Sequence, residues 1–164
     1  MNTSTDYSCM SMATHAAGVL IRRADPGDRH RLTELMHSSS AYRGKYAAIL
    51  AGYEISREQV ENDLMYVAEY RHQLVGFFSL TNPRNNPELD LMFVSDDAQG
   101  KGVGRLLFDH LRTVARENCV TRIDIVAHPP AEEFYLRMGA FRSGTKEAGG
   151  RVSWERPVLS LEIK

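Results

Sequence analysis

The sequence predicts an α/β fold of the α+β kind, a mixed sheet of about seven strands flanked by about four helices. Three observations lead there. Short apolar runs bounded by turn residues recur from Val19 to Ile163, and the segment after Gly102 has the 3.6-residue period of a long amphipathic helix. Between them, a strand, a glycine-rich loop, that helix and a further strand follow one another, as in a parallel crossover unit. With 164 residues, 43% hydrophobic and 25% charged, the chain is sized and composed for one globular domain. It shows no internal repeat, low-complexity tract or linker. The domain is expected over 18–164. The Ser/Thr/Met-rich stretch 1–17 has no positive leader and is expected to be a flexible tail.

Val19-Leu20-Ile21 is the first strand, closed by the turn Asp25-Pro26-Gly27-Asp28. From Asp28, a candidate cap, Leu32, Leu35 and Met36 follow at helical spacing. A second helical region over 42–63 is broken at Gly52-Tyr53 and restarts at Ser56-Arg57-Glu58-Gln59, a capping-box pattern. Strands over 65–70 and 74–80 are joined by a link of hairpin length. After a loop over 82–87, strict alternation over 88–94 sets Leu89, Leu91 and Phe93 on one face and Glu88, Asp90, Met92 and Val94 on the other. The helix over 102–118 is apolar at positions 103, 106, 107, 111, 114 and 115. A strand over 122–127, a short helix over 131–138 ended by Gly139, and closing strands over 140–143 and 154–163 around a loop at 144–150 complete the chain.

Composition excludes several classes of function. Twenty Lys and Arg against twenty-one Asp and Glu leave a net charge of −1, without the basic excess of a nucleic-acid binder. No run approaches the roughly 18 apolar residues of a membrane helix. Cys9 and Cys119 support neither a disulfide framework nor a zinc site, and suit a reducing, cytoplasmic setting. The six histidines show no metal-ligand spacing, so no metal is expected.

The most informative segment is Gln99-Gly100-Lys101-Gly102-Val103-Gly104-Arg105. Glycines at a helix N-terminus expose backbone N–H groups beside the positive end of the helix dipole, a nest for phosphate oxygens. Lys101 and Arg105 add formal charge. Position 105 breaks the dinucleotide fingerprint, and the phosphate-loop spacing also fails. The pattern present, Gln-x-x-Gly-x-Gly after a strand ending at Val94, resembles the coenzyme A signature of the Gcn5-related N-acetyltransferase (GNAT) superfamily. The segment His128-Pro129-Pro130-Ala131-Glu132-Glu133-Phe134-Tyr135-Leu136-Arg137-Met138-Gly139-Ala140-Phe141 is similar to that family's second motif, with one residue inserted before the Phe.

The resemblance implies a GNAT-like sheet and acetyl-CoA as cosubstrate. Its phosphates would be held by Gln99, Gly100, Lys101, Gly102, Val103, Gly104 and Arg105, and its pantetheine arm by the backbone of Met92, Phe93 and Val94. The implied reaction is acetyl transfer to a primary amine of a small molecule by direct attack. Tyr135 holds the position of the family's general acid, although its ring also has a packing partner in Phe134. Glu88, eleven residues before Gln99, is the first choice for the base and Asp90 the second. His128 stands where the family usually has Asn; it either holds the pantetheine amides or joins proton transfer. Ile123 stands where N-terminal acetylating relatives carry Glu.

Tyr42, Arg43 and Tyr46, with Tyr53, are candidates for the acceptor pocket, Arg43 addressing a carboxylate. Two alternatives remain: an acetyltransferase of protein lysines or N-termini, and a catalytically silent acyl-CoA sensor. No nucleic acid or membrane partner is expected, and a homodimer is compatible with the strand-rich C-terminus.

Overall fold

In the computed structural model, which describes residues 18–164, seven strands form one mixed sheet. They are β1 (Leu20–Arg23), β2 (Leu64–Tyr70), β3 (Gln73–Thr81), β4 (Glu88–Val94), β5 (Arg122–Val126), β6 (Phe141–Lys146) and β7 (Arg156–Glu162), in the spatial order β1-β2-β3-β4-β5-β7-β6. The expected tail at 1–17 lies outside the described residues. Four α-helices accompany the sheet: α1 (Arg29–His37), α2 (Arg57–Asn62), α3 (Val103–Glu117) and α4 (Glu132–Arg137). Every neighbouring pair is antiparallel except β4 and β5, which run parallel because α3 crosses over between them.

Each face of the sheet buries its own core. Phe78, Leu80, Leu89, Ile123 and Ile125 pack with Leu107, Phe108 and Leu111 of α3, the stripe expected for that helix with Phe108 added. On the other face Met65, Phe77 and Phe93 pack with Leu32, Leu35 and Met36 of α1 and Val60 of α2. Ser56 caps α2 as its sequence pattern requires, accepting from Gln59 N at 3.0 Å.

Four expectations are corrected. The first concerns β4, where Leu89 pairs with Leu80 and Leu91 with Ser79, leaving Asp90 as an extra, bulged residue. One inserted residue reverses the alternation, so Leu89 joins the α3 side while Leu91 and Phe93 join the α1 side. Second, the stretch before α2 forms two 3-10 segments, Ser40–Tyr42 and Gly44–Leu50, because short runs bounded by glycines cannot recover the cost of an α-helical nucleus. Third, β6 reaches Lys146, so the final loop spans 147–155 and contains Trp154.

Fourth, Asp25 rather than Asp28 supplies the cap before α1, accepting from Gly27 N at 2.8 Å. Asp28 is buried and accepts from both terminal nitrogens of Arg22 (2.8 and 2.9 Å), from Arg31 (2.9 Å) and from Asp25 N (2.8 Å). The Arg22 guanidinium foremost, against the cost of burial, lowers the Asp28 carboxyl to about 2. A depressed folded value stabilises the fold above the unfolded value of 3.8, and that contribution is lost as pH falls toward 2. Asp28→Asn should therefore cost about 2 kcal/mol at neutral pH. In denaturant titrations the gap to wild type should close between pH 4 and about 2.

Candidate active site

β4 and β5 meet at one register pair, Glu88 opposite Asp124, beside a 3.0 Å bond from Asp124 N to Pro87 O. Beyond it the strands part, and the β4 backbone groups that point away from β3 have no strand to pair with. The gap opens into a cleft of about 630 Å³, walled by Glu88 to Val94 on one side and by Ile125, Val126 and His128 on the other.

The glycine loop closes one end of the cleft with Gln99, Gly100, Gly102, Val103, Gly104 and Arg105. Gly100 (φ 73°) and Gly102 (φ 84°) adopt left-handed backbone that a side chain would strain, and Gly102 is the N-cap of α3. The first N–H groups of this fifteen-residue helix lack intrahelical partners, and no acidic residue stands in its first turn. Gln99 folds back so that its Nε2 donates to Val94 O at 3.0 Å, pinning the loop to the end of β4. Lys101, expected among these residues, is exposed and does not line the cleft. A pairing-free strand edge leading to a glycine nest and a helix N-terminus suits an extended amide-bearing chain that ends in phosphates.

Tyr135 lines the cleft from α4 with its ring 5.4 Å from Phe134 and 6.2 Å from Phe108. It is only 7% exposed, and its hydroxyl has no hydrogen-bond partner among the described residues. Burial foremost, with the neighbouring Tyr42 phenol, raises its pKa, so the phenol keeps its proton at neutral pH. The packing role and the cleft position expected as alternatives for this residue coexist.

The segment from Ser39 to Tyr53 closes the side of the cleft toward α1. Among the bonds that tie it down, Ser40 Oγ donates to Asp96 at 3.0 Å, His128 Nε2 donates to Ala41 O at 2.7 Å, Arg151 donates to Ala51 O at 2.6 Å and His37 Nε2 donates to Tyr53 O at 2.7 Å. Rings then stack in series. Tyr46 meets Trp154 at 4.8 Å and His128 at 4.5 Å, His128 lies on Tyr42 at 4.0 Å, and Tyr42 meets Phe93 at 5.2 Å. Tyr42 and Tyr53 line the cleft, whereas Tyr46 stands behind them as a buttress. Arg43 is exposed and lies outside the cleft, because the 3-10 turn that points Tyr42 inward sends its neighbour outward.

Burial lowers the His128 pKa, so the ring is neutral at pH 7. With Nε2–H committed to Ala41, Nδ1 carries the lone pair, and this buried atom has no partner among the described residues. Glu88 and Asp90 both line the cleft. Asp90 is raised above the ordinary carboxylate range, by desolvation first and then by the charges of Glu88 and Asp63. Tyr53 is raised by burial foremost, and its hydroxyl bonds Gln59 at 2.9 Å. Burial pushes Tyr42 up to about 12. Sequence reasoning missed Arg156, at the start of β7, and Arg137 on α4, both of which line the cleft; Arg156 lies outside any motif, and Arg137 falls on an unspecified position of the second one, so neither carries a signal. Among the described residues, no group of three or more His, Cys, Asp or Glu is placed to hold a metal, and no helix is long and apolar enough to cross a membrane.

Comparison with known proteins agrees with this architecture. Residues 41–149 match the family model of the acetyltransferase (GNAT) domain. A curated relative, the 5-NmdU N-acetyltransferase of Pseudomonas phage PaMx11, is 23% identical over 133 residues, covering 80% of this chain and 93% of that protein. Among solved structures, the acetyltransferase of the GNAT family from Streptococcus pneumoniae superposes with a TM-score of 0.70 at 17% identity, covering 89% of this chain and 99% of the other. The PaiA N-acetyltransferase of Thermoplasma acidophilum, solved in complex with coenzyme A, superposes with a TM-score of 0.68 at 16% identity, covering 88% and 98%. With a matched domain spanning more than half its length and a fold shared with solved members of the family, the chain belongs to the GNAT acetyltransferase superfamily.

Proposed function

We propose that this protein is an acetyl-CoA-dependent N-acetyltransferase that acts on a primary amine of a small molecule. The observation that carries the reading is the opening between β4 and β5, with the glycine nest at one end and Tyr135, Glu88 and Asp90 within it. Acetyl-CoA supplies the activated thioester. The backbone of Met92, Phe93 and Val94 and the lone pair of His128 Nδ1 suit the amides of its pantetheine arm. Gly100, Gly102, Gly104 and Arg105 suit its phosphates. Lys101, exposed, would act on them only as a nearby charge.

The amine must lose a proton to attack, and the thiolate that leaves must be stabilised. Alkyl ammonium groups are mostly protonated at pH 7, so a carboxylate in the cleft has to accept that proton, directly or through water. Glu88 and Asp90 are both within the cleft. The shift at Asp90 favours it as the base, since a base gains strength as its pKa rises toward the working pH. On the other side of the thioester, the Tyr135 phenol has no competing hydrogen bond among the described residues.

The reading is tested by acetyl-CoA-dependent thiol release across amino acids, polyamines, aminoglycosides and basic peptides, alongside the thermal shift on adding acetyl-CoA. Stabilisation without thiol release for any amine would leave the sensor alternative, and release only with peptides would leave the protein acetyltransferase. For the base, Asp90→Asn should lower kcat by about 10–10²-fold and remove the acid limb of the pH–rate profile, with Glu88→Gln smaller in both. The reverse ranking would assign the proton to Glu88. The relative from the Pseudomonas phage, by its name, acetylates 5-NmdU, which makes that compound a further acceptor for the panel.

A further inference from the structure

Three arginines line the cleft, and they differ in their surroundings. Arg105 follows the glycine loop on α3, where the phosphates were assigned above, and Arg137 lies on α4. Arg156 begins β7. The 2.9 Å bond from Ala127 N to Pro157 O seats it beside the end of β5, next to His128 and near Tyr42. Arg22, Arg31, Arg57, Arg112, Arg122 and Arg142 all have carboxylate partners; the three cleft arginines have none among the described residues, and of these Arg105 and Arg137 are exposed while Arg156 is half-buried. Its Nε is closed off from solvent with no hydrogen-bond partner. A buried guanidinium nitrogen left unpaired is costly, and structures normally satisfy it.

We propose that Arg156 is the specificity-determining residue of the acceptor pocket, an anchor for a carboxylate, so that the acceptor is an amine carrying a carboxylate at its other end. This rests on the acetyltransferase reading above. The planar guanidinium fork matches a carboxylate through two parallel bonds. The opposite charge lies across the cleft: Glu88 and Asp90 at the bulge of β4, with Asp63 behind them and no cation shifting Asp90. Between the two poles the wall is Tyr42, Tyr53, Leu91 and Phe93. A zwitterion with an apolar body places its ammonium group at the carboxylates and its carboxylate at Arg156. A polyamine or aminoglycoside would instead set a second cation against the guanidinium, which selects against it. The role expected of Arg43 passes to a residue on a different element.

The test compares an amino acid, its decarboxylated amine and a phosphate-bearing amine of similar length as acceptors, by thiol release. Wild type should favour the amino acid in kcat/KM over the decarboxylated amine by on the order of 10². Arg156→Gln should erase that preference through KM, Arg156→Lys should restore part of it, and the acetyl-CoA thermal shift should not change. Equal use of the decarboxylated amine by wild type, an equal loss for all three acceptors in Arg156→Gln, or a preference for the phosphate-bearing amine would each overturn the assignment. Thermal shifts by the acceptors alone, with coenzyme A present, separate this proposal from the one beneath it. If no acceptor releases thiol, acetyl transfer fails; a carboxylate-dependent shift lost in Arg156→Gln would still support the anchor, and no such shift would overturn it.

Discussion

Tyr135→Phe should lower kcat by roughly 10²–10⁴-fold while leaving acetyl-CoA affinity unchanged. The substitution removes one oxygen and keeps the ring that packs on Phe108 and Phe134, so the fold and the α4 wall of the cleft should persist. That oxygen has no hydrogen-bond partner among the described residues to lose. Its raised pKa has two consequences that pull in opposite directions. The phenol stays protonated across the neutral range, but it is also a weaker acid than free tyrosine, and a thiolate of pKa about 8.5 would not take its proton completely. On the acetyltransferase reading, its contribution would then be a strong hydrogen bond to the charge that develops on sulfur, with solvent completing the transfer afterwards. Steady-state thiol release together with the acetyl-CoA thermal shift checks this. An unchanged kcat would remove Tyr135 from the chemistry.

Gly102→Glu should abolish the rise in melting temperature produced by acetyl-CoA, with affinity falling by roughly 10²-fold or more. Two effects act together at this position. A φ of 84° strains any L side chain, and a carboxylate at the N-cap of α3 occupies the N–H groups and the positive dipole end that phosphates would use. Gly102→Ala separates them, since it carries the strain without the charge and should keep a reduced but measurable shift. Equal stabilisation of wild type and the Glu variant by acetyl-CoA would sink the coenzyme assignment of the glycine loop.

Features written in short local patterns were legible in the sequence. The glycine loop, the stripe of α3 and the Ser56 cap each depend on residues within a few positions of one another, and the structure forms them as their spacing implies; Tyr135, singled out only through the family resemblance, lines the cleft. Features that depend on register or on distant pairing were not. Alternation over Glu88 to Val94 gives no sign of the bulge at Asp90, which arises only when β4 is matched against β3. Arg43 stood out for its tyrosine neighbours, whereas Arg156, at the start of a closing strand, did not. Only the phase of a 3-10 turn turns the first outward, and only the insertion of β7 between β5 and β6 carries the second into the cleft. His128 was legible as a departure from the family's Asn, but its contact with Ala41, 87 positions away, was not.

The single register pair joining β4 to β5 also bears on how the molecule opens. On one side stands a four-stranded antiparallel meander whose neighbours in space are neighbours in sequence; on the other, β5, β7 and β6 form a three-stranded unit of their own. Little backbone bonding crosses the seam, so the two halves are joined mainly by side chains, those of Leu80, Leu89, Ile123 and Ile125 that share one core with α3. A ligand laid between β4 and β5 would act as the absent strand and couple them. The free energy of binding would then appear as shared protection of both halves against hydrogen exchange, far from the atoms the ligand touches.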